Sequence, residues 1–239
     1  MARIRLLRHA TLLVSVGDVT VLVDPMLGPP ASFPPIQNTP NQRENPLVPL
    51  PEVELAYDAV LVTHRHRDHF DDAARESLAG DVPLLCQPAE ADAFREEGFT
   101  DVRPVTDETT LGAVTVTRTP ARHGHGDLAE RMAPVSGFVL DGDRTVYLAG
   151  DTVWYDAVAE AIDRRDPDAV VVNAGAARFL EGDPITMDEA DVRAVRRHAD
   201  CPVVAVHADA INHCLLSRAD LREAVDDVVV PDDGDVVAV

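Results

Sequence analysis

The sequence predicts an α/β protein, and three observations support this class. Three short strand patterns open the chain, strand and helix patterns alternate after residue 59, and 46% of the residues are hydrophobic. A chain of 239 residues is long enough to bury a sizeable core. We assign residues 1–239 to a single domain.

The first part of the chain is predicted to consist of strands and one long loop. Strands are predicted at 3–7, 12–16, 19–23 and 59–62, where apolar residues alternate or run together. Gly17-Asp18 is typical of a hairpin turn. Residues 25–51 are rich in proline and predict a loop, either a mobile surface excursion or a lid that binds substrate.

The rest of the chain alternates between short apolar runs and amphipathic stretches. Further strands are predicted at 82–86, 111–117, 135–140, 145–148, 169–172 and 203–206, with an edge strand at the acidic tail. Helices are predicted at 71–78, 88–97, 153–164, 188–198 and 217–225, several of them with acidic residues in the first turn.

The charge of the chain excludes some classes of partner. Arginine supplies all 21 positive charges, 42 residues are acidic, and the net charge is −21. Such a chain repels phosphate backbones and anionic membranes, so we expect a small-molecule substrate and neither nucleic acid nor membrane as a partner. At high salt concentration, screening weakens the repulsion between the acidic groups of such a surface. The composition therefore favours a halophilic source over the alternative that a GC-rich genome merely replaces lysine by arginine. A homo-oligomer remains compatible with the sequence.

The cysteines and the hydropathy pattern indicate a cytoplasmic protein. Cys86, Cys201 and Cys214 lack CxxC spacing and cannot all pair, which fits a reducing compartment. No apolar run reaches 18 residues, and the N-terminus lacks the features of a signal peptide.

A dense histidine motif follows the fourth predicted strand. Residues 63–69 read Thr-His-Arg-His-Arg-Asp-His, a spacing that chance produces about 0.002 times per chain. His64 and His66 point the same way at a strand end, and Asp68 and His69 follow where the chain turns. Four ligand-type side chains within six residues indicate two adjacent metal ions rather than one.

Three further candidate ligands, His123, Asp151 and His207, each follow a predicted apolar strand. The carboxyl ends of buried strands are where α/β proteins place their sites. Each residue also has a structural alternative: His123 as a loop residue, Asp151 as a helix N-cap and His207 as a core histidine. Beside the first motif, the metal-ligand interpretation is favoured for all three.

These residues resemble the metallo-β-lactamase fold superfamily. Residues 63–69 match its HxHxDH signature, the later His, Asp and His occur in its order, and Asp24 matches an aspartate that closes an early strand in many members. The segments RHATLLV, LVDP, ARHGHG and AGDT are most similar to the branch of L-ascorbate-6-phosphate lactonase and the N-acyl-phosphatidylethanolamine phospholipase D type. The resemblance covers essentially the whole chain and implies a four-layer αββα sandwich.

The resemblance also implies a set of metal ligands. These are His64, His66 and His123 for a first ion; Asp68, His69 and His207 for a second ion; and Asp151 as the bridging carboxylate. His213 is an alternative last ligand, but we prefer His207 because it directly follows a strand. The expected ions are zinc or manganese, and iron also fits these ligand types.

The implied activity is metal-dependent hydrolysis. Two divalent ions are expected to bridge a hydroxide that attacks an acyl carbon or a phosphorus atom. Asp68 and His213 are the candidate catalytic residues. Asp68 could orient the nucleophile or carry a proton, and His213 is either a substrate or proton-transfer group or a structural residue.

The expected substrate is a small, anionic lactone, other ester or phosphodiester. The candidate substrate residues are His125, Trp154, Arg178 and Asn212, which lie near predicted strand ends. His125 or Arg178 could hold an anionic group, and Trp154 could stack on a ring. The alternatives are core packing for Trp154 and a surface ion pair for Arg178.

Two other classes of protein fit the same ligands. An iron-dependent oxygenase or other redox enzyme could use them, because ligand type alone does not exclude iron. A non-catalytic metal-binding protein is disfavoured, because structural zinc sites are usually closed with four ligands and seven candidates are present.

Overall fold

A computed structural model gives the structure of the protein and describes residues 1–132 and 134–239. The strands are β1 (Arg3–Arg8), β2 (Thr11–Val16), β3 (Val19–Val23), β4 (Ala59–Val62), β5 (Leu84–Cys86), β6 (Val102–Pro104), β7 (Glu108–Leu111), β8 (Val114–Pro120), β9 (Ser136–Asp141), β10 (Thr145–Leu148), β11 (Ala169–Asn173), β12 (Val203–Val206), β13 (Val228–Val229) and β14 (Val236–Ala238). The helices are α1 (Asp72–Ser77), α2 (Ala91–Glu96), α3 (Gly126–Arg131), α4 (Asp156–Arg165), α5 (Glu189–His198) and α6 (Arg218–Ala224). Within those residues, none of the helices has the length and apolar character needed to span a membrane.

The strands form two seven-stranded mixed sheets, and strand direction decides where the site lies. The first sheet has the order β14-β1-β2-β3-β4-β5-β6, and the second has the order β13-β12-β11-β10-β9-β8-β7. In the first sheet β1, β3 and β4 run in the same direction. In the second sheet β8, β10, β11 and β12 also share one direction. The carboxyl ends of these strands therefore lie at one edge of each sheet.

Apolar side chains fill three layers between and outside the sheets. Alternate residues of each strand point to opposite faces, so Leu61 packs between the sheets whereas Val60 faces the helices. Phe138 of the second sheet belongs to the same central layer as Leu61. Phe94 of α2 covers the first sheet, and Val192 of α5 covers the second. This order of layers confirms the predicted α/β class and the four-layer αββα sandwich.

The predicted secondary structure is wrong in a few places. Residues 111–117 do not form one strand, because the chain turns at Gly112 with φ +59° and makes a β7–β8 hairpin. Glycine adopts this left-handed conformation without a steric penalty. The short elements β6, β13 and α3 were not predicted, because two to six residues are too few for a clear periodicity. The predicted edge strand near the C-terminus is β14, which pairs with β1.

The proline-rich segment 25–51 packs against the body of the protein. Within it, the backbones of Phe33 and Asn45 exchange hydrogen bonds of 2.9 and 2.8 Å. Arg8, fully buried at the end of β1, anchors this segment to the first sheet. Its guanidinium donates to three backbone carbonyls, those of Met26 (2.5 Å), Gly28 (3.0 Å) and Val48 (3.0 Å). These contacts favour an ordered covering segment over a mobile excursion.

Candidate metal centre

The predicted ligands converge at the carboxyl ends of the strands. Three groups of side chains place their ligand atoms within 4.8 Å of one another. The groups are His64, His66 and His123; His9, Asp68, His69 and His207; and His64, His69 and Asp151. All these residues are buried except His66, which is half-buried. We call the first the three-histidine group and the second the four-residue group.

The three-histidine group has the donor atoms of a metal site. Nε2 of His64 lies 2.9 Å from Nδ1 of His66. The Nδ1–H of His123 donates to the carbonyl oxygen of Ile185 at 2.8 Å, which leaves Nε2 of that ring as the free lone pair. A hydrogen bond of this kind fixes the tautomer of a metal-binding histidine.

The four-residue group lies beside it. Nε2 of His69 and Nε2 of His207 are 3.2 Å apart. Oδ2 of Asp68 lies 4.0 Å from the first of these nitrogens and 3.9 Å from the second. Two imidazole nitrogens and a carboxylate oxygen that face one point make a second set of ligands for a divalent ion.

Asp151 lies between the two groups. Its Oδ2 is 3.4 Å from Nε2 of His69 and 3.5 Å from Nε2 of His123. Its Oδ1 is 3.2 Å from Nε2 of His207 and accepts a 2.7 Å hydrogen bond from the side chain of Asn173 at the end of β11. One carboxylate thus faces ligands of both groups, as the bridging role requires.

Asp24 orients two of the histidines from the end of β3. It accepts hydrogen bonds from the backbone N–H of Thr63 and from the Nδ1–H of His69, at 2.7 and 2.8 Å. The Thr63 hydroxyl donates to Asp24 at 2.7 Å and lies 3.1 Å from Nδ1 of His64. Because the hydroxyl proton of Thr63 points to Asp24, the hydroxyl oxygen of Thr63 is free to accept a hydrogen bond from the Nδ1–H of His64. Both histidines therefore direct Nε2 into the centre.

Burial and charge set protonation states that suit metal binding at all of these ligands except His69. Burial lowers the pKa of His64 and of His207 well below its usual value and keeps both rings neutral. Burial acts to raise the pKa of Asp68 and Asp151, but the neighbouring histidines outweigh it and hold both well below the usual carboxyl range. Burial acts to lower the pKa of His69, but Asp151 and two further aspartates raise it well above its usual value. A metal ion must displace that proton.

His213 and Cys214 lie next to the centre, and His207 is the better placed of the two candidate last ligands. Burial is the main effect that lowers the pKa of His213, and the charges of Asp68 and Asp151 oppose it. Cys214 lies with its Sγ 3.5 Å from Nδ1 of His207. Burial raises the pKa of this thiol well above its usual value, so it stays protonated.

The structure corrects the expectation that Asn212 contacts substrate. Its buried amide is used by the segment at residues 36–45. Oδ1 accepts from Ile36 N (2.9 Å) and Asn45 Nδ2 (2.7 Å), and Nδ2 donates to Thr39 Oγ1 (2.7 Å) and to the carbonyl oxygens of Ile36 and Asn41. Asn212 therefore holds the covering segment beside His213.

The other three candidate substrate residues are not among the grouped ligands. Trp154 packs with the core beneath the helices, its ring 5.4 Å from that of His198 on α5, in agreement with the core-packing alternative. His125 is exposed and precedes α3. Arg178 is half-buried and donates its backbone N–H to the carbonyl oxygen of His213 at 3.0 Å.

The sequence analysis missed His9. This residue is fully buried, and its Nε2 lies 3.2 Å from Oδ2 of Asp68. Burial lowers the pKa of His9 to about 4, so the ring is neutral. The sequence signal that could have identified His9 as a site residue is its position directly after an apolar strand, which is also the position of His123 and His207.

Comparison with known proteins identifies relatives of the chain. The family described as Beta-lactamase superfamily domain matches residues 19–208. UPF0173 protein YddR of Bacillus subtilis is 33% identical over 96% of both chains. An isothiocyanate hydrolase from Delia radicum gut bacteria has a TM-score of 0.91 at 32% identity and covers 99% of both chains. A possible metal-dependent hydrolase from Veillonella parvula has a TM-score of 0.93 at 32% identity over the full length of both.

The fold and the comparisons together define a metal-dependent hydrolase. Further relatives carry the name UPF0173 metal-dependent hydrolase. The chain belongs to the β-lactamase superfamily and, within it, to the UPF0173 family. The resemblance to the metallo-β-lactamase fold superfamily is thereby confirmed.

Proposed function

We propose that the protein hydrolyses a small molecule at two divalent metal ions. The observation that carries this proposal is the position of Asp151. Its Oδ2 faces His69 and His123 at 3.4 and 3.5 Å, and its Oδ1 faces His207 at 3.2 Å. A lone structural carboxylate needs one or two partners, whereas a bridging carboxylate has to face ligands of two ions.

The donor set fits a pair of such ions. Three imidazoles serve one position, and a carboxylate with two imidazoles serves the other. Zinc or manganese suits these ligands, and iron is also compatible with them. When bound, the two ions activate a water molecule and polarise the substrate atom that this water attacks.

Asp68 and His213 are the residues that we assign to moving protons and orienting water. Asp68 is ionised, because the neighbouring histidines hold its pKa low. It can therefore accept a hydrogen bond from water. His213 is buried, and burial lowers its pKa and keeps the ring neutral, so it can take up a proton and pass it to a leaving group.

An isothiocyanate is the substrate class that we propose first. The solved relative from Delia radicum gut bacteria, which is 32% identical over 99% of both chains, is an isothiocyanate hydrolase. Hydrolysis of R–N=C=S consumes one water, forms a carbon–oxygen bond and breaks the carbon–nitrogen bond. The products are carbonyl sulfide and R–NH₂, whose nitrogen receives both protons of the water. His213 is placed to deliver one of them.

Anionic lactones, other esters and phosphodiesters are the alternative substrate classes. Arg178 is the residue that could hold the anionic group of such a substrate. Across residues 1–132 and 134–239, however, no arginine side chain makes a hydrogen bond or ion pair with the grouped ligands.

The charge and the cysteines support a small substrate and a reducing location. A net charge of −21 repels nucleic acids and anionic membranes. Cys86, Cys201 and Cys214 are all free thiols. Both observations support a cytoplasmic enzyme that acts on small molecules.

The test is a turnover assay of metal-loaded protein in buffer of high KCl concentration. Phenethyl isothiocyanate is supplied with Zn²⁺ or Mn²⁺, and release of phenethylamine is measured beside lactone, ester and phosphodiester substrates. We expect amine release by the wild type and by Glu160→Gln, a surface control on α4, and its loss in Asp151→Ala. A folded, metal-loaded wild type that turns over none of these substrates contradicts the proposal.

A further inference from the structure

His9 is buried in the candidate metal centre, but it is not one of the seven residues assigned as metal ligands. It follows β1 with φ +59°, a left-handed conformation that is uncommon for residues other than glycine. Its carbonyl oxygen accepts a 3.0 Å hydrogen bond from the backbone N–H of His207 in the other sheet. The backbone of His9 is thus fixed against one of the proposed ligands of the second ion.

The side chain of His9 contacts two of these ligands. Its Nε2 lies 3.2 Å from Oδ2 of Asp68. Because a carboxylate only accepts hydrogen bonds, Nε2 carries the proton and donates it. Its ring packs against that of His207, with centroids 3.6 Å apart and planes tilted by 34°. Nδ1 of His9 is buried and has no partner among the described residues.

The ring distances separate a ligand from a residue that supports ligands. A metal–nitrogen bond of about 2.0–2.1 Å places an imidazole centroid about 3.2 Å from its ion, so two rings on one ion have centroids about 4.5 Å or more apart. The rings of His69 and His207 are 5.2 Å apart, and those of His66 and His123 are 5.4 Å apart. At 3.6 Å, His9 is too close to His207 to share its ion.

We propose that His9 is a positioning residue for the second metal ion and not one of its ligands. Its N–H holds Asp68, which keeps further lone pairs for the ion, and its ring packs against that of His207. This inference rests on the proposed two-ion function. Loss of such a supporting hydrogen bond typically weakens metal affinity about 10- to 100-fold. The three-histidine group does not contact His9, so the first ion is expected to bind unchanged.

The test is a calorimetric titration of metal-free protein with Mn²⁺ and with Zn²⁺. His9→Phe keeps an aromatic ring beside His207 but has no N–H, and His9→Gln keeps an N–H at a similar reach but has no aromatic ring. His198→Gln, a surface histidine paired with Asp163, is the matched control. The thermal unfolding of each metal-free variant shows whether it is folded.

We expect two binding events in the wild type and the control. In His9→Phe the second event weakens about 10- to 100-fold while the first is unchanged, and His9→Gln recovers part of the loss. Unchanged binding of both ions by folded His9→Phe overturns the inference but leaves the two-ion function intact. Complete loss of binding of the second ion in both variants also overturns the inference, because it would show that His9 is itself a metal ligand. A wild type that binds fewer than two ions overturns both proposals.

Discussion

Oδ2 of Asp24 lies 2.8 Å from Nδ1 of His69, and both side chains are buried. The same carboxylate accepts from the backbone and hydroxyl of Thr63, whose oxygen faces His64. Asp24 thereby sets the ring orientation of a ligand in each group. It does so from the end of β3, next to the strand that carries the histidine motif.

Replacement of Asp24 by Asn tests this arrangement. Asn tolerates the left-handed backbone of this position (φ +44°) but removes the negative charge. We expect metal affinity to fall about 10- to 100-fold, because His64 and His69 lose the group that fixes their tautomers. Titration with Mn²⁺ measures the effect, with the exposed Asp58→Asn as control. A metal affinity in Asp24→Asn equal to that of the wild type contradicts the role of Asp24 in orienting the two histidines.

Much of the site could be predicted because its signals are local or repeated. The motif at 63–69 places four ligand types within six residues. His123, Asp151 and His207 each follow an apolar strand, and strands that share a direction bring these positions to one edge. His9 follows a strand as well, but a single histidine without a spaced partner does not stand out in a sequence.

The errors have physical causes that act over long distances in the chain. Asn212 is expected at the substrate because it lies near a predicted strand end, but its amide bonds to the segment 36–45, more than 160 residues away in sequence. For Trp154 both substrate stacking and core packing are compatible with the sequence, and the side chain packs with the core that covers the second sheet. The sequence carries no sign of which distant segment a side chain will meet.

Arg8→Met is expected to destabilise the protein. Burial lowers the pKa of Arg8 to about 10, and its guanidinium is the donor for the carbonyls of Met26, Gly28 and Val48. Loss of these bonds leaves three carbonyls without their donor and lowers the free energy of unfolding by about 2–4 kcal/mol. Urea denaturation measures the change, and limited proteolysis should show earlier cleavage within 25–51. Wild-type stability in this variant contradicts the anchoring role.

The reactivity of the cysteines provides a pH-dependent test. Burial raises the pKa of Cys86 to about 12 and also raises that of the half-buried Cys201. Since the thiolate is the reactive form, Cys86 stays unreactive at pH 8, and its reactivity increases about tenfold per pH unit until about pH 12. In alkylation with iodoacetamide at pH 8, followed by mass spectrometry, Cys201 is expected to react first and Cys86 only in denaturant. Equal rates in the folded protein contradict this.

The acidic surface predicts stabilisation by salt. With 42 acidic residues and a net charge of −21, the folded chain repels itself at low ionic strength. At about 1 M salt the Debye length falls to about 3 Å and screens this repulsion. The melting temperature of the metal-free protein is expected to rise with KCl concentration. A melting temperature that is the same at low and molar KCl contradicts halophilic adaptation.

The most direct test of the two-ion centre is the metal content of purified protein, measured by elemental analysis after loading with Zn²⁺ or Mn²⁺ and removal of excess ion. The predicted result is two ions per chain in the wild type and in Glu160→Gln, and fewer than one in folded Asp151→Ala, because that carboxylate faces ligands of both groups. A wild type with at most one ion, or Asp151→Ala that retains both, contradicts the account.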